Sequence, residues 1–200
     1  MAENIVMDAP APASGGVLRD LDVFVGGPIQ HAILSTGFVG GLQDAINTAI
    51  GVVAEHGATV FSAHMAEKFG ERTAAFTPEQ VSVRDFHWMK KCDVFVPVLP
   101  LLDDGTLRRT DGTHVELGWA TALGRPVVML TQQPFAESAS HLLKGLHRVG
   151  AVRVVDFDDF TQKPALLVDA VLAATERQRE ASGADLVAGP RGPFAGRSEK

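Results

Sequence analysis

The run Asp111-Gly112-Thr113-His114-Val115-Glu116-Leu117-Gly118-Trp119-Ala120 sets one carboxylate, Glu116, behind a turn of small residues and just inside the start of a helix. A turn of Gly and Thr lets backbone N–H groups face a ligand, and the partial positive charge of a helix N-terminus favours an ionised carboxylate. That combination makes Glu116 a candidate nucleophile. Thr113-x-x-Glu116 is also the pattern of a capping box, with Thr113 as the cap and Glu116 answering it. Spacing alone leaves both readings open, so the surrounding elements have to decide.

Those elements alternate between short apolar runs and helical periodicities. Leu21 to Val25 reads as a buried strand that enters a loop at Gly26-Gly27-Pro28. Leu42, Ala45, Ile46, Ala49, Ile50 and Val53 recur at helical spacing, and Gly57 stands where a C-terminal glycine belongs. Ala58 to Ser62 gives a second strand. Thr77-Pro78-Glu79-Gln80 supplies an N-cap, a proline at the first helical position and a capping partner, which predicts a helix to about Lys91. Asp93 to Leu99 follows as a third strand, Thr113 to Leu123 as a helix, Pro126 to Thr131 and Val152 to Phe157 as further strands, and Pro164 to about Arg179 as a closing helix. Strand alternating with helix implies an α/β fold, a parallel sheet covered on both faces.

In such a sheet ligands bind beyond the carboxyl ends of the strands. The loops Gly26 to Gly41, Ser62 to His64 and Pro100 to Gly112 leave those ends and are expected to line one site. Asp85 reaches the same crevice only if its part of the helix faces that edge. Residues 1–18 and 181–200, rich in Gly, Pro and small polar residues without apolar periodicity, read as unstructured, leaving one catalytic domain at 19–180.

Composition narrows the function classes. Two hundred residues, 46% hydrophobic and 21% charged, suit one compact domain. A net charge of −6 and the lack of any basic cluster argue against a nucleic-acid polymer as partner, which wants a basic face. No run approaches the roughly 18 apolar residues of a membrane span, and no basic segment precedes an apolar one at the N-terminus, so the chain reads as cytoplasmic with no membrane partner. The single cysteine, Cys92, opens an apolar run and reads as a buried small hydrophobe. No His or Cys cluster has metal-ligand spacing. Neither a metal nor a cofactor is expected.

Three ordered motifs carry a resemblance: Val23-Phe24-Val25-Gly26-Gly27-Pro28, then Asp85-x-x-Trp88-Met89-x-x-x-Asp93-Val94-Phe95-Val96, then Gly112 to Ala120. Together they span residues 21 to 131. The chain resembles the nucleoside 2-deoxyribosyltransferase superfamily, most closely its nucleotide N-glycosidase branch of cytidylate and deoxynucleotide N-hydrolases. The fold this implies is a single Rossmann-like (flavodoxin-like) doubly wound sheet of about five parallel strands. The activity it implies is cleavage of the N-glycosidic bond of a nucleoside 5′-monophosphate. Glu116 would attack C1′ to form a covalent ribosyl ester, as in a retaining glycosidase, and Asp85 would shuttle the proton.

The same resemblance gives Gly26, Gly27, Ile29, His64, Gly112 and Thr113 as substrate-binding residues and a homodimer as the assembly. The partner it implies is a small-molecule nucleotide or nucleoside. Trp88 is expected in the core, Asp93 as a structural residue at the strand start, and His114 on the surface at the helix start. Ile29 stands where the cytidylate hydrolases carry an aromatic residue, with Phe38 as a substitute ring. The loop Gln30 to Gly41 has no arginine, leaving Ser35, Thr36, Thr113 and either Arg108 or Arg109 to hold a phosphate. Thr110 stands where the transferases carry a base-binding acidic residue, with Asp111 beside it, which favours hydrolysis over base exchange. Base exchange and a non-catalytic nucleotide sensor are the alternatives.

Overall fold

A computed structural model of the chain describes residues 15–188, so of the stretches expected to be unstructured, 1–18 and 181–200, the parts 1–14 and 189–200 lie outside the described residues. The order is β1 (Asp22–Gly26), a small hairpin of β2 (Ile33–Leu34) and β3 (Gly37–Phe38), α1 (Gly40–Glu55), β4 (Thr59–Phe61), the one-turn α2 (Ala63–Ala66), α3 (Pro78–Lys91) and β5 (Val94–Pro97). After a long loop come α4 (Asp111–Ala122), β6 (Val127–Thr131), α5 (His141–Gly145), β7 (Val152–Asp156), α6 (Phe157–Gln162) and α7 (Ala165–Ala188).

Five strands form one sheet in the order β4-β1-β5-β6-β7, every neighbouring pair parallel. Counted along the sheet strands alone this is 2-1-3-4-5, the flavodoxin-like winding, whose strand order reverses between β1 and β5. The sheet is apolar on both faces because alternate side chains meet different helices. Val23, Val25, Val94, Val96, Val128 and Leu130 pack under α1 and α7, while Phe24, Phe95, Val127 and Met129 pack with Met89 of α3 and Leu117 and Ala120 of α4. Ala45, Ala49 and Val53, an apolar stripe that sequence leaves open between core and interface, are buried in the first of these layers.

The sequence signals at the ends of α3 hold in detail. Thr77 Oγ1 accepts from the Gln80 N–H at 3.3 Å and Gln80 Oε1 accepts from the Thr77 N–H at 2.8 Å, with Pro78 at the first helical position. Gly57, at φ +97°, takes the left-handed conformation that follows the end of α1.

Three expectations are corrected. The helix that carries Glu116 starts at Asp111, not Thr113: Thr110 occupies the N-cap, and its hydroxyl donates to Thr113 Oγ1 at 2.7 Å. Thr113 is therefore inside the first turn and Glu116 a turn further on, so the pair is not a capping box. The closing helix runs past Arg179 to Ala188. Leu18, placed at the edge of the unstructured end, is buried, and its N–H donates to the His56 carbonyl at 2.8 Å. The hairpin β2–β3 and the single turn α2 have no counterpart in the sequence reading, because two to four residues carry no measurable period.

Candidate active site

Where the strand order reverses, the chain leaving β1 and the chain leaving β5 part and open a crevice of about 310 Å³. Gly26, Gly27 and Ile29 enter it from the end of β1, His64 from α2, Asp85 from α3, and Gly112, Thr113 and Glu116 from α4. All eight side chains or backbones singled out by the sequence thus border one cavity. The first N–H groups of α4, around Gly112 and Thr113, are free of intrahelical partners by geometry and lie at its wall.

Glu116 is 8% exposed at the floor of the crevice. A Cβ on Gly26 would stand 3.0 Å from Glu116 Oε2 and 3.0 Å from the Phe95 ring, so a side chain there would press on this carboxylate and the ring beneath it. Burial, and next the negative charge of Asp85, push the Glu116 pKa well above the usual carboxylate value, opposed by the cation of Arg84.

Asp85, 6% exposed, projects from the inner face of α3. Its carboxylate takes two hydrogen bonds from Arg84, Nε at 2.7 Å and Nη2 at 3.3 Å. Burial raises the Asp85 pKa and the guanidinium counters it. Arg84 Nη2 also donates to Glu67 Oε1 at 2.7 Å, and Glu67 Oε2 accepts from the Thr73 hydroxyl at 2.7 Å. Glu67, 3% exposed, borders the same crevice. Neither Arg84 nor Glu67 is among the site residues that the sequence singles out. The one trace is that His64 and Glu67, three apart, share a face of a helical turn.

His64 is fully buried, and burial pushes its pKa down to about 4, so it is neutral at physiological pH. Nε2 lies 3.2 Å from the Pro28 carbonyl oxygen, which makes it the protonated nitrogen and leaves Nδ1 an acceptor without a protein partner. Phe38 and Phe69 pack on the ring at 6.0 and 5.5 Å between centroids. Phe38 therefore braces His64 and is not among the crevice residues.

The remaining candidates divide. Ser35 and Thr36 sit on the exposed hairpin tip, away from the cavity. Arg108 ties the long loop to the His31 carbonyl at 3.0 Å, whereas Arg109 borders the crevice and pairs with Asp111 at 2.9 Å. Thr110 borders it too. Trp88 stacks on Phe61 with centroids 5.9 Å apart, as a core residue does. Asp93 accepts the Asp22 N–H at 2.8 Å, a structural role. His114 is exposed, its Nδ1 2.6 Å from the Thr110 carbonyl. Cys92 is buried, its thiol pushed up to about 12. Among the described residues no helix is long and apolar enough to cross a membrane, and no group of three His, Cys, Asp or Glu side chains is arranged to hold a metal.

Known proteins resemble this chain in sequence and fold. Residues 35–159 match the family model described as nucleoside 2-deoxyribosyltransferase. The solution structure of BlsM is 28% identical, with 80% of this chain and 94% of that one covered and a TM-score of 0.64. The CMP N-glycosidase BcmB of Clostridium botulinum shares the fold at 24% identity, covering 72% of this chain and 98% of its own, with a TM-score of 0.50. No curated protein matches the sequence. With more than half its length matched by the family model and the crevice at the switch point of the sheet, the chain belongs to the nucleoside 2-deoxyribosyltransferase family.

Proposed function

We propose that the protein is an N-glycosidase that hydrolyses a nucleoside 5′-monophosphate to free base and (deoxy)ribose 5-phosphate through a covalent ester on Glu116. The observation that carries this reading is the burial of two carboxylates, Glu116 and Asp85, in one crevice under a glycine backbone with room for a sugar. Their mutual repulsion and burial favour a pair that holds a single proton.

The reaction balances on that proton. As a carboxylate oxygen of Glu116 bonds to C1′, the C1′–N bond breaks and its electron pair stays on the base. The pair's proton rests on Glu116, passes to Asp85 as the ester forms, and goes from Asp85 to the base. Water then adds at C1′, the ester C–O bond breaks with its electrons returning to Glu116, and the water proton passes through Asp85 back to Glu116, restoring the resting pair. An oxocarbenium-like transition state is stabilised by the ionised Glu116 beside it. His64 Nδ1, a neutral acceptor, suits a sugar hydroxyl. The α4 N-terminus at Gly112 and Thr113, with Arg109 at the mouth, suits the 5′-phosphate. Gly26, Gly27 and Ile29 form the opposite wall. Thr110 in place of an acidic base-binding residue supports water as acceptor. Val83 and Phe86 of α3 and Val115 of α4, exposed and apolar, support the homodimer.

Free-base release from a panel of ribo- and deoxyribonucleoside monophosphates and their unphosphorylated nucleosides tests the reading, with Glu116→Ala alongside. Release from a monophosphate that the variant abolishes is the expected result. Faster transfer to an added base than hydrolysis would make the protein a transferase. Tight binding without release by either protein would make it a sensor.

A further inference from the structure

Three buried carboxylates, Glu67, Asp85 and Glu116, border the crevice, and the half-buried cation of Arg84 pairs with the first two from outside its lining, where the proposed chemistry gives it no role. Arg84 is 16% exposed in its side chain. Its guanidinium lies 5.2 Å from the centre of the Phe76 ring and 4.9 Å from that of Trp88, which hold its plane. From that plane Nε and Nη2 reach Asp85 and Nη2 also reaches Glu67. Glu67 is itself fixed by the Thr73 hydroxyl. The chain Thr73, Glu67, Arg84, Asp85 thus runs from the loop after α2 to the proton-carrying carboxylate on α3, through side chains that are all polar and all largely removed from water.

We propose that Arg84 is a positioning residue, anchored by Glu67, that fixes the rotamer of Asp85 and supplies the positive charge that lets Asp85 stand ionised beside Glu116. This rests on the glycosidase reading for what Asp85 does, but not for where Arg84 holds it. A bidentate, stacked guanidinium restricts Asp85 in a way that an ammonium does not, so lysine at this position restores charge without restoring geometry. Burying a cation between two anions is otherwise costly, and a residue pair kept only for stability has no need to end on a crevice carboxylate.

The groups that face this cation and both carboxylates are few. Glu67 and His64 approach from α2 and the loop after it, Asp85 from α3 and Glu116 from α4, with Arg109 and Asp111 paired and exposed at the mouth and His31 across from them. Removing the Arg84 cation leaves the two acids facing Glu67 alone. Both then titrate higher. Removing the Glu67 charge does the reverse, since Glu67 repels both.

The test needs no substrate in its first arm. Carboxyl-¹³C NMR titration of the ligand-free protein, with Asp85 and Glu116 assigned through Asp85→Asn and Glu116→Gln, is compared with Arg84→Met, Arg84→Lys and Glu67→Gln. Arg84→Met is expected to raise the Asp85 midpoint by about one pH unit or more, Arg84→Lys to bring most of it back, and Glu67→Gln to lower it. In the second arm, with whichever monophosphate shows Glu116-dependent turnover, Arg84→Met is expected to lose about 100-fold in kcat and to shift both limbs of the pH profile upward. Arg84→Lys keeps the limbs near those of the unsubstituted protein but remains about tenfold slower. An Asp85 midpoint unchanged in Arg84→Met, or unchanged in Glu67→Gln if Arg84→Met fails to fold, overturns the proposal. A panel without turnover overturns the glycosidase reading instead, while the titration still decides the role of Arg84.

Discussion

Glutamine at position 116 is expected to abolish base release and at the same time to raise the melting temperature, because it removes a carboxylate that the fold buries beside another. The sign follows from linkage. A carboxylate whose folded pKa is raised is neutral in the folded protein where the unfolded chain is already ionised, so it costs stability increasingly as pH rises from about 4.5 to the folded value. The gain in Tm of Glu116→Gln over the unsubstituted protein is therefore larger at pH 8 than at pH 5, by calorimetry at the two pH values. Equal gains would mean that Glu116 titrates normally. The sequence places Glu116, Asp85, His64 and the glycines at one site, because each stands at a strand end or in a motif. It misses the raised pKa, which comes first from burial and then from Asp85 and Glu67 arriving from other elements. It misses Glu67 altogether, since one acidic residue after a single helical turn carries no pattern.

At the scale of elements, the site depends on where helices begin. The first turns of α3 border the crevice through Pro78, Val81 and Ser82, and the capping box at Thr77 sets that start. Thr77→Ala is expected to cost about 1 kcal/mol in urea unfolding, with Asp85, two turns on, still in place and kcat little changed. A large fall in kcat would show that the helix start and the acid are coupled. The strands and α1 are legible because each has several residues of one period and a glycine or proline at its end. The start of α4 is not, because Thr110 and Thr113 are equally good caps by type. Only the packing of Leu117 and Ala120 on the sheet, with Thr113 buried and Glu116 at the crevice floor, selects between them. The hairpin β2–β3 closes beside the crevice with too few residues to announce itself.

Across the whole molecule, the sheet gives each face its own core, and the site lies where the strand order reverses, at the carboxyl ends of β1 and β5. The neutral His64 beneath that opening makes global stability sensitive to acid. With its folded pKa pushed down to about 4, the folded protein resists protonation that the unfolded chain accepts at 6.5. Stability is thus fully present above pH 6.5 and is lost as pH falls toward 4, by on the order of 3 kcal/mol from this residue. Chemical denaturation across that range, compared with His64→Gln, isolates the contribution: the difference between the two proteins is expected to shrink with falling pH, and a constant difference would place His64 in a solvated setting.

Acid-quenched turnover followed by peptide mass spectrometry reads the proposed bond between Glu116 and the sugar. With a monophosphate that the protein turns over, a sugar-phosphate adduct is expected on the peptide carrying Glu116 and is expected to be absent in Glu116→Ala. Full turnover with no adduct, and a rate that survives Glu116→Ala, would contradict it.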